Sequence, residues 1–184
     1  MIAGAPNLVL AGFMGTGKST VGKLVAAHLD RQFVDTDDLI VERAGMPIQE
    51  IFSRHGESYF RDVERQVCLK VAATRGAVIA TGGGALLDLA SREAFEAGGV
   101  VVLLTCGREA LLARLEDSAR RGARPLLSHD FAARVDHLLA VREPVYSSFT
   151  LQVDTTKLDP AEVAERVLTL YYETIERGAA VCKP

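Results

Sequence analysis

Cysteine is scarce. The 184 residues contain three, Cys68, Cys106 and Cys182, far apart and without a CxxC pair or Cys/His cluster. That excludes a cysteine-based zinc site and a disulfide framework, and it fits a reducing cytoplasm, where such residues serve as small buried hydrophobes. An excess of either charge is lacking too. A net charge of -3 gives no electrostatic reason to expect nucleic acid or a membrane as partner. Long hydrophobic runs are missing as well. The longest uncharged stretch, Met1 to Gly17, is broken by Gly4, Pro6, Asn7, Gly12 and Gly15 and opens without basic residues, so neither a signal peptide nor a membrane anchor is expected. With 48% hydrophobic and 24% charged residues, no internal repeat and no interdomain linker, residues 1–184 read as one soluble domain with a sizeable core.

Apolar runs at Leu8–Ala11, Phe33–Val34, Ala77–Ala80, Val100–Leu104 and Leu151–Val153 are strand candidates. Between them lie helical patterns, one opening at Lys18 with Val21, Leu24, Val25, His28 and Leu29 in register. Further helices are predicted at roughly 38–44, 47–55, 57–75, 107–120 and 130–147. The last helix opens on Asp159-Pro160-Ala161-Glu162, an acidic N-cap with proline first and glutamate third. Uniformly apolar strands alternating with helices specify an α/β fold, with a parallel sheet covered on both faces.

Gly12-Phe13-Met14-Gly15-Thr16-Gly17-Lys18-Ser19 satisfies G-x-x-x-x-G-K-[ST] at every fixed position, between a strand and a helix. Loop N–H groups and the helix N-terminus suit phosphate oxygens, Lys18 can reach the β/γ-phosphates, and Ser19 can ligate Mg²⁺. Gly15, Thr16, Gly17, Lys18, Ser19 and Thr20 are therefore candidate ATP-binding residues. A dinucleotide fingerprint fails, because it requires glycine where Thr20 stands. No guanine-reading N-K-x-D segment occurs.

Asp35-Thr36-Asp37 follows the second strand, at the sheet edge where open α/β folds bind ligands. On extended chain the two carboxylates point to opposite sides, which makes Asp35 a candidate for the metal and Asp37 for an acceptor hydroxyl; a helix N-cap cluster involving Asp37 and Asp38 is the alternative. Arg61 and Glu64 are spaced as a helical surface pair. Gly82-Gly83-Gly84 after a buried strand reads either as a flexible turn or as backbone exposed to a polar ligand. Arg114, Arg120, Arg121 and Arg124 suit a basic flap over a triphosphate, or in part a solvated helix face. Arg142, in Arg142-Glu143-Pro144-Val145-Tyr146, is ambiguous by itself.

Together these segments, with Ile51-Phe52, Phe60-Arg61-Asp62-Val63-Glu64 and Arg124-Pro125-Leu126-Leu127, resemble the shikimate kinases in order and spacing over about residues 7–172. The resemblance implies transfer of a phosphoryl group from MgATP to the 3-hydroxyl of shikimate, in aromatic amino acid biosynthesis. It also implies a three-layer P-loop kinase fold with a five-stranded parallel sheet in the order 2-3-1-4-5. By analogy an acceptor-binding subdomain covers approximately 34–64 and a mobile lid approximately 114–128. Arg61 and Arg142 grip the substrate carboxylate, while Asp37 and the backbone of Gly82, Gly83 and Gly84 hold hydroxyls. Arg124 swings in from the lid, and Arg114 is assigned to adenine. Residues 116–123 are longer and richer in arginine than the family's lid entrance, and after Asp154-Thr155 the basic residue on offer is Lys157. Asp37, an acid of ordinary pKa, is expected to orient the attacking hydroxyl more than to deprotonate it. The expected molecule is a cytoplasmic monomer with ATP and shikimate as its partners. The rival readings are a kinase on the same scaffold that takes gluconate or an aminated shikimate, and a sensing module that binds without turnover.

Overall fold

The computed structural model of the chain describes residues 4–120 and 131–181. Five strands form one sheet, β1 (Asn7–Gly12), β2 (Phe33–Asp35), β3 (Val78–Ala80), β4 (Gly99–Thr105) and β5 (Gln152–Asp154), all parallel, in the order β2-β3-β1-β4-β5. Period two along the central strand decides what each face carries. Leu8 and Leu10 of β1 join Val78, Val100, Val102 and Leu104 beneath α1 (Lys18–Leu29) and α7 (Pro160–Val181). Val9 and Ala11 point the other way, with Ile79, Val101 and Leu103, into the larger core under α2 (Thr36–Ala44), α3 (Ile48–Ala72), α4 (Leu89–Gly98), α5 (Arg108–Arg120) and α6 (Phe131–Tyr146). The expected architecture and strand order are borne out. Among the described residues no helix is long and apolar enough to cross a membrane.

Local signals account for most boundaries. Asp159 caps α7 as a reciprocal box: its side chain accepts from the N–H groups of Ala161 (2.8 Å) and Glu162 (2.9 Å), while its own N–H donates to Glu162 Oε2 at 2.8 Å. The break expected between residues 55 and 57 is present inside α3, where Gly56 adopts φ 80, ψ 176.

Two expectations need correction. The acidic helix begins at Thr36 rather than near 38, and its cap is Asp35, whose carboxylate accepts from Asp37 N–H at 3.0 Å. The helix α4 was not anticipated. Of its ten residues only Ser91, Phe95 and Gly98 are buried, too thin a stripe to register as a helical period. Its cap is regular all the same, with Asp88 Oδ2 accepting from Ser91 N–H (2.9 Å) and Ser91 Oγ (2.8 Å).

Candidate active site

The phosphate loop leaves the carboxyl end of β1 and closes on α1. Gly12 and Gly17 carry it, with φ 136 and 94, and a Cβ on Gly12 would lie 2.3 Å from Leu104 O, so only glycine fits. Lys18 Nζ donates to Gly12 O (2.8 Å) and Phe13 O (2.9 Å), and Thr16 Oγ1 donates to Phe13 O at 2.8 Å. These bonds fold the loop into the cradle expected from the motif. Its mouth opens on a cavity of about 490 Å³ lined in part by Gly15, Gly17, Lys18, Ser19, Thr20, Asp35, Asp37 and Arg114.

Asp35 and Asp37 are separated by the strand-to-helix transition and not by an extended pleat. Asp35 divides its oxygens. Oδ1 caps α2, whereas Oδ2 accepts from the Ser19 hydroxyl at 2.6 Å. Ser19 and Asp35 are thus adjacent hard-oxygen donors beside the loop, the chemistry Mg²⁺ takes when phosphates and water complete its shell. Among the described residues no group of three or more His, Cys, Asp or Glu side chains is placed to cage a metal.

The triple glycine has a use that sequence reasoning missed. Each missing Cβ leaves room for a charged side chain from a distant element. A Cβ on Gly82 would lie 2.7 Å from Asp37 Oδ1 and 3.0 Å from Glu64 Oε1. On Gly83 it would lie 3.0 Å from Arg142 Nη1 and 3.3 Å from Met14 N, and on Gly84 2.9 Å from Arg61 Nη1. The glycines gather Asp37 from α2, Arg61 and Glu64 from α3 and Arg142 from α6 against one stretch of backbone, next to the phosphate loop. The Gly82 N–H is already engaged, donating to Thr36 Oγ1 at 2.9 Å.

Within this group Arg61 donates to Glu64 (2.6 Å) and Glu57 (3.2 Å), so the expected surface pair exists, but Glu64 is only 4% exposed. Burial pushes the Glu64 carboxyl above its ordinary value; the bond to Arg61 opposes the rise and the nearby Asp37 adds to it. Arg142 is 6% exposed, lies 4.7 Å over the Phe13 ring, and leaves Nη1 buried without a hydrogen bond to any described residue. One turn on, Tyr146 donates its hydroxyl to Gly83 O at 2.5 Å. A buried guanidinium N–H without an acceptor is costly, and a ligand anion would relieve it.

Arg114 reaches the cavity wall and donates to Thr155 Oγ1 (3.0 Å) and Thr155 O (2.6 Å). Lys157 is exposed and Arg120 stands exposed at the end of α5. Arg121 and Arg124, and with them most of the expected lid, lie outside the described residues. Glu57, Thr36, Phe13 and Tyr146 were not anticipated as site residues. The spacing Glu57-x-x-x-Arg61-x-x-Glu64 was a readable signal; nothing local marks the other three.

A five-stranded parallel sheet in this order, with a G-x-x-x-x-G-K-S loop on its central strand and a charged cleft beside it, defines a P-loop phosphotransferase. The family model for shikimate kinase matches residues 14–171, and a shikimate kinase of Moorella thermoacetica is 44% identical over 163 residues, 88% of this chain and 91% of that relative. The chain belongs to the shikimate kinase family. A second relative, from Caldanaerobacter subterraneus subsp. tengcongensis, is 42% identical over 90% of this chain and 95% of its own. Among solved structures, a shikimate kinase from Acinetobacter baumannii in complex with shikimate superposes with a TM-score of 0.84 at 34% identity, covering 92% of this chain and 94% of that one. A gluconokinase from Sinorhizobium meliloti, 19% identical with a TM-score of 0.64, shares the fold.

Proposed function

We propose that this chain transfers the γ-phosphoryl group of MgATP to the 3-hydroxyl of shikimate, giving ADP and shikimate 3-phosphate. The observation that carries the reading is the gathering of Asp37, Arg61 and Arg142 on Gly82–Gly84, beside the loop that holds Lys18 and Ser19.

Arg61 and Arg142 bind the acceptor carboxylate, the buried Nη1 of Arg142 finding there the acceptor it lacks among the described residues. Asp37 accepts from the attacking hydroxyl and orients it toward phosphorus, and the backbone of Gly83 and Gly84 holds the neighbouring hydroxyl. Loop N–H groups from Gly15 to Thr20 take the phosphates. Lys18 leaves its two carbonyls for the phosphate oxygens and carries positive charge to the transferring group. Ser19 and Asp35 would hold Mg²⁺, which would supply positive charge to the phosphates when bound. Arg114, on the cavity wall, is assigned to adenine, and Arg124, with most of the lid assigned to approximately 114–128 outside the described residues, is assigned to the transferring phosphoryl group. Residues 34–64 form the acceptor-binding part of a single domain that works as a monomer.

Coupled ADP release with MgATP tests the proposal, with shikimate, gluconate and an aminated shikimate as separate acceptors. Turnover that requires shikimate is expected. Turnover with gluconate alone would move the acceptor assignment to a different polyol acid, and tight shikimate binding without ADP release would make the chain a sensor.

A further inference from the structure

Phe13 stands where the two halves of the site meet. Its backbone belongs to the phosphate loop, its carbonyl accepting from Lys18 and Thr16. Its side chain, 2% exposed, lies beneath the Arg142 guanidinium, 4.7 Å from the ring centroid. The loop motif leaves this position open, so phosphate binding alone demands no aromatic residue there. The side chain also packs in the larger core, which calls for an apolar residue at this position but not for an aromatic one. With Leu103, Leu111, Leu139 and Tyr146, Phe13 lines a cavity of about 250 Å³.

Arg142 does need orienting. It is buried, Nη1 has no hydrogen bond to a described residue, and the ring presents its negative face to the cation. On the reading that Arg142 takes the acceptor carboxylate, we infer that Phe13 is a positioning residue for acceptor binding: its ring holds the Arg142 guanidinium in the plane the carboxylate needs. The contact lies away from the reacting oxygens, so it stabilises the bound substrate and the transition state alike. It therefore acts on KM for the acceptor and not on kcat.

The test compares Phe13→Leu and Phe13→Met, which keep an apolar chain, with Phe13→Tyr, which keeps the ring. Calorimetry with shikimate and with ADP, steady-state kinetics and melting temperature are read on each. The expected result for the aliphatic variants is an increase in shikimate Kd and KM of about tenfold, or ~1.4 kcal/mol, with ADP affinity and kcat changed far less and the melting temperature lowered by a few degrees, as a change at a buried core position requires. Phe13→Tyr should restore shikimate affinity. Aliphatic variants that bind shikimate as the wild type does would overturn the inference. So would variants that lose shikimate and ADP affinity in parallel, since that pattern belongs to core packing. Wild-type protein that binds no shikimate refutes the function proposed above, and this role for Phe13 with it.

Discussion

Gly82→Ala separates folding from catalysis. Gly82 is not in the left-handed region, so its backbone accepts alanine without strain. The new methyl would sit 2.7 Å from Asp37 Oδ1, whereas ordinary contact begins at 3.4 Å, so the carboxylate must retreat by about 0.7 Å. For stability this is a small matter. The nearest displaced atom is the end of a side chain beside an open cavity; the buried Glu64 Oε1, at 3.0 Å, must give by about 0.4 Å, a cost offset by the gain of about 0.4–1 kcal/mol that Gly→Ala brings by restricting the unfolded chain. For the reaction proposed above, in which Asp37 aims the attacking hydroxyl, it is large: a misplacement near 1 Å costs on the order of 10²-fold in rate, or ~2.7 kcal/mol. The assay is kcat with saturating MgATP and shikimate, set beside a melting curve. The expectation is kcat down about a hundredfold with the melting temperature within a few degrees of wild type. A variant that turns over within threefold of wild type would refute the reasoning, because a carboxylate that can move that far unpunished is not aiming anything.

Lys18→Ala removes the cation of the phosphate loop and should lower kcat on the order of 10²–10³-fold while the protein stays folded; wild-type turnover would overturn the assignment of the loop. Arg61→Lys gives up the planar fork that now reaches both Glu57 and Glu64, so calorimetry should find shikimate weakened by about tenfold or more and ATP little changed, whereas equal loss of both ligands would make Arg61 structural. Glu64→Gln reports through pH. Because burial raises the native Glu64 value, the stability held by its neutral form is fully present below the ordinary value near 4.5 and is lost as pH rises through the native one. Urea unfolding of wild type and Glu64→Gln over that window should show the variant gaining on wild type with rising pH. The opposite slope would mean that the Arg61 bond outweighs burial.

The fold was legible because its determinants are local. Val100–Leu104 announces a strand buried on both faces, Asp159-Pro160-Ala161-Glu162 announces a helix start, and Gly56 announces a break, each within a few residues of the feature it controls. What failed locally failed for physical reasons. The helix α4 keeps two of its three buried positions small or polar, Ser91 and Gly98, so its hydrophobic period is nearly blank. Asp35 and not Asp37 or Asp38 caps α2, because a single carboxylate can cap the helix with one oxygen and take the Ser19 hydroxyl with the other. A sequence shows three acidic residues in four positions and cannot say how their oxygens are shared.

The acceptor site was legible in its residue types and not in its construction. Gly82, Gly83 and Gly84 look like freedom of the backbone, yet none of the three has a positive φ. Their conformations would admit other residues; their surroundings would do so only by displacing Asp37, Arg142 or Arg61. Each glycine is fixed by a side chain far along the chain: Asp37 lies 45 positions before Gly82, and Arg142 lies 59 positions after Gly83. Information of that kind is held in pairs of residues, and no window of sequence contains both members. The same holds for Arg142. As a lone arginine it is ambiguous, and it acquires a role only when the Phe13 ring, the absent Cβ of Gly83 and the Tyr146 bond to Gly83 O are seen around it. A phosphate loop binds with contiguous backbone and is therefore written as a motif. The carboxylate site proposed here is made of side chains from α3 and α6 meeting over a gap, and a gap is written as glycine whatever it is for.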